Sequence, residues 1–97
     1  MSDANTTSKS NDEKPAMAQA LEHATQEFIT LVGVQPESMS GVEADGDGWR
    51  FWLEVEELPR VPPSTSVMAS YEVNTNADGG VTGFHKARRY LRSQTQE

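Results

Sequence analysis

The chain has 97 residues and carries fifteen carboxylates against eight Lys and Arg, a net charge of −7, with 35% apolar residues and a mean hydropathy of −0.65. That is chain for one small domain, with too little apolar side chain for all of it to lie in a core. The absence of cysteine excludes disulfides, thiol nucleophiles and thiolate metal sites, and the acidity argues against a surface that wraps nucleic acid.

Residues 1–14, MSDANTTSKSNDEK, hold no apolar side chain larger than the methyl of Ala4 after Met1, so they cannot bury enough apolar area to offset the entropy of being ordered. A disordered polar tail is expected there. The segment has no apolar core of a secretory signal, and nowhere is there the run of about 18 apolar residues that a membrane span needs. The expected location is the cytoplasm.

From Pro15 the spacing of Met17, Leu21, Ala24, Phe28 and Leu31 alternates fours and threes, which predicts a helix over 15–32 with those five on its packed stripe. Pro15 suits the first turn, and Gly33 can take the left-handed conformation that ends a helix. Pro36, Gly41, Gly46 and Gly48 then mark connections, with a short extended piece around 39–44. DGDG at 45–48 resembles a calcium loop only briefly, because it leads into a strand without the closing Glu of such a loop; a tight hairpin turn is expected.

GWRFWLEVEEL predicts a strand over 49–58, with Trp49, Phe51, Leu53 and Val55 on the buried face and Arg50, Trp52, Glu54 and Glu56 on the other. Pro59, Pro62 and Pro63 read as a stiff connection. VMASYEVN resumes the alternation, with Val67, Ala69, Tyr71 and Val73 inward, and 75–80 carries hairpin-turn residues. A last strand over 81–91 has conflicting parity, since Phe84 and Tyr90 share one side and Val81, Ala87 and Leu91 the other; Gly83 is the candidate bulge.

The expected fold class is α+β: one N-terminal helix packed on a three-stranded antiparallel meander, four-stranded if the piece at 39–44 pairs. One domain spans 15–92, and 93–97 form a frayed C-terminus. A single helix covers one face of such a sheet, so the second face is left open, with Arg50, Trp52, Met68, Arg88 and Tyr90 as partner-binding candidates. Trp52 there is either a packing piece among cross-strand pairs of Glu54 or Glu72 with Lys86 or Arg88, or an anchor for a partner.

The strip HKARRYLR at 85–92 holds four of the eight basic residues. It can pair with acidic strands of the same sheet, dock an acidic protein, or contact nucleic acid through Lys86, Arg88, Arg89 and Arg92. No catalytic or metal-binding constellation emerges: Glu54, Glu56 and Glu57 lie along an open strand, and neither His23 nor His85 has a nucleophile at suitable spacing. No enzyme activity and no cofactor are expected.

Taken in order, Gly48 with Trp49, the acidic run Glu54–Val55–Glu56, the turn from Arg60 to Pro62, Tyr71–Glu72–Val73, and Arg88–Arg89–Tyr90 with Arg92 resemble the gas vesicle protein O family, GvpO, over residues 33–92. Phe51, Trp52 and Leu53 are bulkier than that family's pattern, and Pro63 lengthens the stiff turn. The resemblance implies a vesicle-associated accessory protein of gas vesicle formation, an assembly adaptor whose partners are shell or other accessory gas vesicle proteins. The alternative from the residues is a regulator touching nucleic acid. The helix-then-hairpin layout is also similar to PepSY-like modules, a likeness of fold alone.

Overall fold

The computed structural model describes residues 16–95, so the expected tail at 1–14 lies outside the described residues. Within them the order is helix α1 (Ala16–Val32), strands β1 (Ser38–Asp45) and β2 (Gly48–Leu58), a 3-10 turn Pro63–Thr65, strands β3 (Val67–Thr75) and β4 (Val81–Leu91), and a 3-10 turn Arg92–Thr95. The strands form one antiparallel meander in the order β1-β2-β3-β4. The short extended piece is thus a full fourth strand, joined to β2 by a hairpin at the DGDG run.

The helix packs one face of the sheet through Ala20, Ala24 and Phe28, all buried, with Met17, Leu21 and Val32 alongside. Beneath it lie Phe51, Leu53, Val55, Ala69 and Val73, so the facing of β2 and β3 is the one their alternation predicts. Burying each of the larger side chains stabilises the fold by about 1.5–3 kcal/mol. Phe28 meets Tyr71 edge-on at 5.2 Å and Phe84 at 6.2 Å, which ties α1 to β3 and β4.

One position of the helical stripe departs from expectation: Leu31 is 57% exposed. The packed row advances by fours through Ala20, Ala24, Phe28 and Val32, and Leu31, about 100° round the helix from Val32, turns out over Val81.

At the other end of α1 the hairpin between β3 and β4 approaches the helix backbone. Gly79 has φ +94, and a Cβ there would lie 2.2 Å from the Ala20 carbonyl oxygen, so only glycine fits. Asn76 shapes this turn, its Oδ1 accepting the amides of Asp78 and Gly80 at 3.0 and 2.9 Å. His23 and Glu27 fasten the helix to it: Glu27 accepts the Val81 amide at 2.7 Å, and His23 lies 2.9 Å from the Asp78 carbonyl and 3.2 Å from Glu27.

The parity conflict in β4 is resolved by its register. Ser70 pairs with Arg88 and Tyr71 with Lys86, leaving Ala87 unpaired. That extra residue lets Phe84 face the helix while Tyr90 faces away. A second shift leaves Thr82 unpaired beside Gly83, so the expected irregularity exists, but it is Ala87 that separates Phe84 from Tyr90.

Candidate functional site

The face of the sheet away from α1 is built by alternate residues of all four strands. Register sets Glu43 beside Arg50, Trp52 beside Glu72, Glu54 beside Ser70, and Ser70 beside Arg88. A groove of about 640 Å³ runs across it, lined by Trp52, Glu54, Met68, Ser70, Arg88 and Tyr90 and closed at one end by Glu37, Arg92 and Gln94.

Trp52 is partly exposed in the groove wall and lies against β1, where Gly41 makes room for it. A Cβ on Gly41 would stand 3.1 Å from the indole Cε3. Arg50, its guanidinium carbon 6.0 Å from the indole ring, reaches Glu43 at 3.3 Å, Asp45 at 3.2 Å and Glu72 at 3.4 Å.

The floor is a carboxylate and three hydroxyls. Glu54 is only 8% exposed, and it accepts hydrogen bonds from Ser40 at 2.5 Å, Ser70 at 2.8 Å and Tyr90 at 2.6 Å. A buried carboxylate needs such donors, because leaving it without them would cost several kcal/mol. Burial, and then the hydrogen bond to Glu54, push the Tyr90 phenol up to about 12, so it stays a neutral donor through the physiological range. Arg88 stands over the Tyr90 ring at 4.4 Å and has no ion-pair partner among the described residues. Met68 and Tyr90 are buried, 3% and 8% exposed, so of the five sequence candidates they form the floor, Trp52 and Arg88 form the wall and rim, and Arg50 stands beside Trp52 without lining the groove.

The basic strip does not act as a unit. Lys86 and Arg89 lie on the helix side of the sheet and both bind Glu57, Arg89 at 2.8 Å; their hydrogen bonds, Lys86 first, hold the Glu57 carboxyl below its ordinary range. Arg92 closes the groove between Glu37 at 2.6 Å and Glu56 at 3.1 Å. Those bonds raise its already high pKa. The cross-strand pairs expected of Glu54 and Glu72 with Lys86 or Arg88 are replaced: Glu72 pairs with Arg50 and, at 3.8 Å, with His85, and Glu54 takes hydroxyls. The bulge at Ala87 accounts for Lys86, which it sends to the opposite face, while Arg88 stays on this face over the Tyr90 ring.

Among the described residues of this face, Glu37, Glu43, Asp45, Glu54, Glu56 and Glu72 stand against three guanidiniums, those of Arg50, Arg88 and Arg92. Sequence reading missed the buried Glu54, because a Glu in an alternating charged run reads as solvated. The signal available was the hydroxyl at Ser70, directly opposite in a meander, and Tyr90 one strand further on.

Fold and face together define a class: a small α+β module whose helix seals one side of an antiparallel sheet and whose other side presents an acidic, aromatic-walled groove. The chain belongs to the gas vesicle synthesis protein GvpO family, whose model matches residues 3–96. It is 38% identical over 84 residues to gas vesicle protein O of Streptomyces sp. (strain CB03234), covering 87% of this chain and 66% of that protein. Gas vesicle protein O of Haloferax mediterranei is 31% identical over 97 residues, covering 99% of this chain and 69% of the relative. Gas vesicle protein O1 of Halobacterium salinarum is 31% identical over 81 residues, covering 84% and 68%. The chain thus spans about two thirds of the length of these curated relatives. No solved structure matches it. The family is named for gas vesicle synthesis and not for a reaction, and among the described residues no helix is long and apolar enough to cross a membrane.

Proposed function

We propose that the chain is a non-enzymatic accessory protein of gas vesicle formation, acting in the cytoplasm as an assembly adaptor that binds shell or other accessory gas vesicle proteins. The observation that carries this reading is the sheet face that α1 does not cover, with Trp52 partly exposed in the groove across it. Tryptophan is among the residue types that dominate protein-binding hot spots, and an indole seated in the groove wall against Gly41 is ordered in advance of binding.

The nucleic-acid reading draws less support from the same face. Lys86, Arg89 and Arg92 are neutralised by Glu57, Glu37 and Glu56, and the strip is divided between two faces. Phosphate binding needs cations that are free and co-facial.

The test is co-purification of the tagged full chain from cells that make gas vesicles. Recovery of other vesicle proteins with the wild type and its loss with Trp52→Ala, at unchanged thermal stability, is the expected result. Equal recovery with the variant removes this face from the interaction.

A further inference from the structure

We infer that the groove receives a lysine or arginine side chain of a partner protein, seated beside Trp52 over the Glu54 carboxylate. The inference rests on the adaptor reading and adds the chemistry of the partner. Ser40, Ser70 and Tyr90 have committed their hydroxyl protons to Glu54, so what they turn to an incoming group is lone pairs. A floor of acceptors around a negative charge suits a ligand that only donates, which is what an ammonium or guanidinium does.

The surroundings agree in sign. Six carboxylates against three guanidiniums make the whole face negative, and the chain carries −7, so a basic partner is drawn toward it from a distance. The Trp52 wall adds to this, because a cation is attracted to an aromatic face, as Arg88 over the Tyr90 ring illustrates. A carboxylate or phosphate entering the same groove would meet Glu54 at the floor and Glu37 at the rim, with Arg88 there as the cation that has no ion-pair partner among the described residues.

The two possibilities give Arg88 opposite roles. For a basic ligand Arg88 is a competing like charge; for an acidic one it is the anchor. The isotope-labelled full chain is titrated with tri-lysine, tri-glutamate and triglycine while its amide and indole resonances are followed. Tri-lysine should move the Trp52 indole N–H and the amides of Ser40 and Ser70, less so as salt is added, and the other two peptides should not. Arg88→Gln should tighten tri-lysine by about three- to fivefold, the size of one like-charge interaction at a few ångströms in a water-like medium. Glu54→Gln, checked for folding by its thermal melt, should weaken it by about tenfold or more.

Tri-glutamate moving these resonances, weakened binding in Arg88→Gln, or tri-lysine shifts lying only on other surfaces would each overturn the inference. If tri-lysine fails to bind while Trp52→Ala still abolishes partner recovery, the adaptor reading stands and the basic-ligand chemistry falls. If tri-lysine binds and recovery is unaffected by Trp52→Ala, it is the adaptor reading that fails.

Discussion

Replacing Tyr90 by phenylalanine removes one hydroxyl and almost nothing else, so it isolates the energetics of the groove floor. The hydroxyl donates at 2.6 Å to a carboxylate that is 8% exposed. A hydrogen bond to a charged acceptor contributes about 1.5–3 kcal/mol. Glu54 keeps the Ser40 and Ser70 donors, which places the expected loss near 2 kcal/mol, or about 10 °C in Tm for a domain of this size. Ser70→Ala should cost a similar amount, and the double variant should depart from additivity by at least about 0.5 kcal/mol, since both hydroxyls serve one acceptor.

Alkaline titration gives an independent readout. The folded state holds the Tyr90 proton up to about 12 where an unfolded chain releases it near 10.0, so stability present below the lower value is lost as pH rises toward the upper one. Tyr90→Phe should lack that component. Thermal and urea unfolding followed by circular dichroism measure both. A Tyr90→Phe variant within about 2 °C of wild type at neutral pH would mean that water replaces the hydroxyl freely and that the floor is not closed.

Gly79→Ala should destabilise by more than about 2 kcal/mol, because it adds a backbone collision with Ala20 to the cost of a positive φ; Gly46→Ala, with φ +62 and no neighbour within 4 Å, should cost only about 1 kcal/mol in the same urea titrations. His23 has its pKa raised, chiefly by the Asp78 carbonyl, so its contribution is full below its ordinary 6.5 and fades as pH rises through the folded value. Glu27, lowered by the Val81 amide, contributes above its ordinary 4.5 and loses that contribution as pH falls through its own lower value. The wild-type Tm should therefore fall more than that of His23→Gln between about pH 5.5 and 8, and parallel curves would refute the clasp. On a DNA column the chain should elute at low salt, with no change on substituting Arg88 and Arg89 together by alanine; retention lost in that variant would restore the nucleic-acid reading.

The parts of the fold that follow from periodicity were readable in the sequence. Alternation in β2 and β3 gave the correct facing toward the helix, because a one-residue slip would turn Phe51, Leu53 and Val55 away together, and the helix followed from Met17, Ala24 and Phe28. Leu31 was misassigned because spacing alone does not say how a helix crosses the sheet below it. The facing of β4 was illegible for a different reason: Ala87 bears no mark of a bulge, and only the pairing with Ser70 and Tyr71 reveals it. The candidate face was visible in outline from Trp52, yet its floor was hidden, since a carboxylate satisfied by neutral hydroxyls on three separate strands leaves no charge pair to find.

The unpaired Ala87 also bears on how related chains can vary. Side chains along the outer half of β4 are mostly at the surface and open to exchange, but a deletion or insertion of one residue there would turn Phe84 away from Phe28 or Tyr90 away from Glu54. Length at this point is therefore a stricter requirement than composition, and homologues that keep both aromatic anchors should preserve the count of residues between them even where every letter in that interval has changed.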